Sequence, residues 1–102
     1  MEKSIVAWQK KTFPKANEKA IRKKLKEEVK ELLKALNSNA MITEILVEVS
    51  DIFIVAAFLA NKGAEKSQNS VSLTSTIKWK MRVNKARKWG KEDCNGDRKR
   101  EK

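Results

Sequence analysis

Residues Lys24–Leu36 read KLKEEVKELLKAL. At helical pitch Ile21, Leu25, Val29, Leu32 and Leu36 fall in one stripe about 80° wide, with lysines on the opposite side. The stretch therefore predicts an amphipathic helix, from about Glu18 to Leu36. One residue breaks the rule. Glu28 lies inside the apolar stripe, Glu31 lies on its edge, and Glu27 falls mostly outside.

Other helices follow on both sides. Ile5, Val6 and Trp8 give about Lys3–Lys11 an apolar side. Pro14 disfavours helix at Phe13, and Asn17 suits the N-cap of the second helix. Asn37–Asn39 end that helix, with Asn39 placed to cap the third. The third is expected over about Ala40–Lys62, with Gly63 as its C-terminal stop. It is apolar nearly all round, which predicts burial on most sides. A polar loop, GAEKSQNS, leads to a fourth helix. That helix starts near Ser70 or Ser72 and runs to Trp89, with Gly90 closing it. The fold class is all-α. Short connections predict an antiparallel four-helix bundle over residues 1–92, completed by oligomerisation, with a mobile basic tail over 93–102.

The third helix repeats the anomaly of the second. Glu48 and Asp51 stand three residues apart in its greasy sequence. Spacing of three puts each acidic pair, Glu28/Glu31 and Glu48/Asp51, on one helix face. Packed together, those faces would gather four carboxylates. Such a group cannot stay ionised without a compensating cation. A hard divalent ion, which takes oxygen ligands, satisfies it. The competing reading pairs Glu27, Glu28 and Glu31 with Lys23, Lys24, Lys30 and Lys34 on a solvated face. The apolar third helix makes solvation of Glu48 and Asp51 harder to arrange.

Charge points the same way. The chain has 102 residues and a formal net charge of +11. Residues 1–36 hold eleven basic and five acidic side chains, residues 37–77 two and four, and residues 78–102 eleven and four. Basic flanks around an acidic centre suit a polyanion bridged by metal, or a nucleic acid. In the fourth helix Lys80, Asn84 and Arg87 follow at spacings of four and three. They offer an ammonium, an amide and a guanidinium to phosphate oxygens. Trp8, Trp79 and Trp89 are candidates for core or subunit contact, and one of them for stacking on a base.

The sequence also excludes much. It has no histidine, so imidazole general-base chemistry is absent. Its single cysteine, Cys94, permits no internal disulfide. No cleavable signal is visible, and the longest uncharged run, Ile52–Asn61, is too short to span a bilayer. A cytoplasmic location and no membrane partner are expected.

Three segments together carry a family resemblance. They are WQKKTFPKA from Trp8, KLKEEVKEL from Lys24 with EVSDIF from Glu48, and KMRVNKARKWGKEDCNG from Lys80. Sixteen residues separate Glu31 from Glu48. The chain resembles the MazG-like all-α nucleoside triphosphate pyrophosphohydrolases, and more narrowly their dATP/dGTP branch, often found in phages and prophages. The resemblance implies Mg²⁺, with Mn²⁺ a possible substitute, held by Glu28, Glu31, Glu48 and Asp51. It implies that Lys80, Asn84 and Arg87 hold the triphosphate and that a homodimer or homotetramer shares the site. The expected reaction yields a nucleoside monophosphate and pyrophosphate, with Glu31 as the candidate base and Trp8 as a substrate contact. The alternative is a basic helical nucleic-acid-binding or oligomeric interaction module without catalysis.

Overall fold

The computed structural model describes residues 1–68 and 72–99, and among these four helices form the fold. They are α1 (Glu2–Thr12), α2 (Glu18–Asn37), α3 (Ile42–Lys66) and α4 (Leu73–Ala86). The all-α expectation holds. Helices α2 and α3 make the main packing seam as an antiparallel hairpin, α1 packs on α3, and α4 meets α3 lightly. Among the described residues no helix is long and apolar enough to cross a membrane.

Local chemistry explains most boundaries. Asn17 caps α2, its side-chain oxygen accepting from the Ala20 N–H at 2.9 Å. Asn39 does not cap α3. It takes a left-handed φ of 55° one residue beyond Ser38, and the Ala40 N–H reaches back to the Ala35 carbonyl at 3.1 Å. That arrangement closes the C-terminus of α2, a role asparagine fills because its short polar side chain tolerates positive φ. Met41 takes the N-cap of α3 instead.

Gly63 is likewise not a stop. Helix α3 passes through it to Lys66, and Gln68 supplies the left-handed residue that ends the run, at φ 55°. Glycine lowers helix propensity without forcing termination, and neighbouring hydrogen bonds carry the helix past it. Ser72 is the N-cap of α4, in reciprocal hydrogen bonds with Ser75. The alternative start at Ser70 lies outside the described residues.

Helix α4 ends at Ala86, three residues short of the expected Trp89. The Trp89 indole N–H donates to the Asn84 carbonyl at 2.9 Å, and Arg87 turns extended at ψ 149°. The carbonyl that a further turn would use is thus taken by a side chain. Beyond it, the Gly90 N–H donates to the Lys99 carbonyl at 2.7 Å, and Asp93 collects the N–H groups of Asn95 and Asp97. These turn hydrogen bonds fall within the segment 93–99 of the expected tail, and residues 100–102 lie outside the described residues.

The core is small. Among the described residues Val6, Ile21, Ala57 and Phe58 are the buried apolar side chains, and Gln9 is buried with them. The radius of gyration is 16.5 Å, against about 13 Å for a compact domain of this length. Large apolar residues stay exposed along α2, α3 and α4, among them Leu33, Leu46, Ile77 and Trp79.

Candidate active site

The antiparallel pairing of α2 with α3 sets the site. Near one end of the seam Lys66 of α3 lies 3.8 Å from Glu18 of α2. About three turns farther along α2, the same register brings Glu28 opposite Glu48 and Asp51. Each of these three residues offers a carboxylate oxygen, and all three oxygens lie within 4.8 Å of one another. The Glu28 side chain is only 12% exposed, and the other two residues are half-buried.

The electrostatics follow. Partial burial pushes the Glu48 carboxyl above its ordinary pKa, and the negative charges of Asp51, Glu28 and Glu31 push it further. One basic group answers this charge directly. Lys24, one turn before Glu28 on α2, places Nζ 3.0 Å from a Glu28 carboxylate oxygen. Glu28 holds the Lys24 ammonium above its usual pKa by that hydrogen bond and by its charge.

Beside the carboxylates opens a cleft of about 350 Å³. Glu28, Asp51 and Lys24 line one part of it, and Trp8, Phe13, Ile54, Val55 and Phe58 make much of the rest apolar. Its size falls in the range of small-molecule sites. Trp8 and Phe13 meet edge to face at 5.7 Å between ring centres, one on α1 and the other at its end. A wider hollow of about 750 Å³ surrounds the start of α2, lined by Lys19, Arg22, Lys23, Lys26 and Lys66. Its acidic residue, Glu18, already pairs with Arg22, so it lacks the acidic convergence of the smaller cleft.

Gln9 ties α1 to this cleft. Its amide Nε2 donates to the Ile54 carbonyl at 2.8 Å, while Oε1 is buried without a hydrogen-bond partner. The carbonyl is acceptor-only, which fixes which end of the amide faces it. Gln9 is a position not singled out by its residue type, although it follows Ile5 by four and Val6 by three and so shares their helix face.

Not all of the expected residues converge. Glu31 lies one turn beyond Glu28 on an exposed part of α2, outside the three-oxygen group, and acts on Glu48 through its charge. Trp8 lines the cleft, whereas Lys80, Asn84 and Arg87 do not. Arg87 has left the helix, so the alignment expected from a spacing of three does not hold for it.

Three all-oxygen ligands of like charge, partly shielded from water, fit a hard divalent cation. A family model described as the MazG nucleotide pyrophosphohydrolase domain matches residues 16–88. Among solved structures, the chain is similar to the cyanophage S-2L MazG-like pyrophosphohydrolase bound to dGDP and three catalytic Mn²⁺ ions per active site. The two are 27% identical with a TM-score of 0.66, over 99% of this chain and 92% of that one. No curated protein matches significantly.

Proposed function

The chain belongs to the MazG nucleotide pyrophosphohydrolase family, and from that premise we propose that it cleaves a purine deoxynucleoside triphosphate between the α- and β-phosphates. The products are the monophosphate and pyrophosphate. Mg²⁺ is the working ion and Mn²⁺ can replace it. The observation that carries this reading is the convergence of Glu28, Glu48 and Asp51 at the edge of an apolar cleft. One side of the site suits metal and phosphate, the other a base. The structural relative bound to dGDP and Mn²⁺ supports the same assignment.

Glu28, Glu48 and Asp51 would hold the ion, with Glu31 at the adjoining turn as a further ligand. A bound divalent ion neutralises phosphate oxygens and acidifies a coordinated water. Glu31, more open to solvent, is the group assigned to take the proton from the water that attacks phosphorus. The bond from the α-phosphorus to the bridging oxygen breaks, and pyrophosphate leaves. Lys80 and Arg87 offset the charge on the leaving group, and Asn84 donates its amide to a phosphate oxygen. Trp8 offers a ring face to the base.

These α4 groups do not line the cleft of their own chain, and much apolar surface is uncovered. A homodimer or homotetramer answers both facts, with α4 of a partner completing the site. The decisive experiment is a panel of nucleoside triphosphates with Mg²⁺, scored for pyrophosphate against orthophosphate. Purine deoxynucleotides should release pyrophosphate fastest. Orthophosphate as the first product would overturn the assignment.

A further inference from the structure

We propose that Lys24 is a displaceable counter-ion, which holds Glu28 in the metal-free protein and transfers to the substrate triphosphate once a divalent ion takes that carboxylate. Its second half rests on the pyrophosphohydrolase reading above. Its first half rests only on the carboxylates binding metal.

Three observations carry it. First, Lys24 makes the only salt bridge to Glu28, Glu48 or Asp51 among the described residues, at 3.0 Å from Glu28. Second, the pair is lopsided. The Glu28 side chain is 12% exposed and the Lys24 side chain 59%. The carboxylate is fixed in the α2–α3 seam, while the ammonium sits on a long stem with open space to move. Third, Lys24 lines the same cleft as Glu28, Asp51 and Trp8.

Charge then dictates the exchange. An ammonium and a divalent cation repel, and both draw on the single negative charge of Glu28. The divalent ion gathers oxygens from three carboxylates at once, whereas the ammonium is bonded to one. The ammonium is therefore expelled, yet stays tethered to α2 one turn from the ion. The nearest demand for positive charge in the loaded site is the triphosphate. A lysine that merely steadied α2 through an i,i+4 pair would leave metal affinity unchanged.

The test uses Lys24→Met, which keeps the stem and removes the charge, with Lys24→Arg as the charge-retaining control. Two affinities are measured by calorimetry on the full chain. One is Mn²⁺ alone. The other is the non-hydrolysable α,β-imido analogue of dATP at saturating Mn²⁺. In Lys24→Met, Mn²⁺ should bind about fivefold tighter, because its competitor is gone. The analogue should bind about tenfold more weakly, because a charge-assisted contact to phosphate is lost. Lys24→Arg should stay near wild type in both. Unchanged or weaker Mn²⁺ binding in Lys24→Met overturns the counter-ion role. Analogue binding as tight as in wild type overturns the transfer to phosphate. Orthophosphate release in the triphosphate panel would sink the pyrophosphohydrolase reading and leave the Mn²⁺ result standing on its own.

Discussion

Glu28 on α2 and Asp51 on α3 present carboxylate oxygens within 4.8 Å of each other, with Glu48 in the same group. Like charges at that range destabilise the metal-free fold and favour any cation that can join them.

Replacing Glu48 by Gln should therefore separate stability from function. The metal-free variant should melt no lower than wild type, because a carboxylate with a raised pKa has been removed. Its melting temperature should rise far less on adding Mn²⁺, since ligation to the native state is weakened. Glu48→Ala should lose about a hundredfold or more in pyrophosphate release. Thermal scans with and without Mn²⁺, paired with a pyrophosphate assay, check all three.

Gln9 gives a stability prediction away from the carboxylates. Gln9→Ala removes the hydrogen bond to Ile54 and leaves a void, at a cost of about 2 kcal/mol. Gln9→Met keeps the volume and also deletes the unpartnered Oε1, so it should cost under about 1 kcal/mol. Urea unfolding at one fixed protein concentration compares the two. Equal losses in the two variants would mean that the amide matters more than the packing.

Acid sensitivity should trace to the far end of α1. The Glu2 carboxylate accepts hydrogen bonds from the Thr74 hydroxyl and from the backbone N–H groups of Leu73 and Thr74, the latter two at 2.8 Å. These bonds lower its pKa, and Lys10 lowers that of Glu65. A depressed folded-state pKa adds stability above the unfolded value and loses it as pH falls through the folded one. Stability should thus drop below the ordinary carboxylate range, and Glu2→Gln should flatten part of that drop. Glu48 has the opposite sign: its raised pKa weakens the metal-free fold as pH rises through it. Melting temperatures across acidic pH, with chelator present, read both effects.

The exposed apolar faces predict assembly. Leu33 is 53% exposed and Leu46 57%. Leu46→Glu should shift the protein toward monomer and lower turnover, if α4 of a partner completes each site. Light scattering on a sizing column shows the mass, and a monomer as active as wild type would rule out site sharing.

The helices were largely readable in advance because amphipathic period and capping chemistry are local. Asn17, Pro14 and the Ile21–Leu36 stripe act within a few residues of themselves. The misplaced ends share one cause: each was decided by a nearby hydrogen bond that residue type alone does not specify. Asn39 serves α2 rather than α3, Gly63 is overridden by the helix around it, and the Trp89 indole takes the carbonyl of Asn84.

The site divides in the same way. Glu28 inside an apolar stripe, and Glu48 with Asp51 in a greasy helix, were anomalies visible from residue order alone, because burying charge is costly wherever it occurs. Residue order also fixed the absence of histidine and hence of imidazole chemistry. Which carboxylates meet was decided only by the register and crossing of α2 against α3. That packing gathers Glu28 with Glu48 and Asp51, leaves Glu31 outside the group, and sets Lys24 against Glu28 beside an aromatic cleft. Helical spacing specifies neighbours along one rod, whereas distances between rods arise from side-chain packing across the seam.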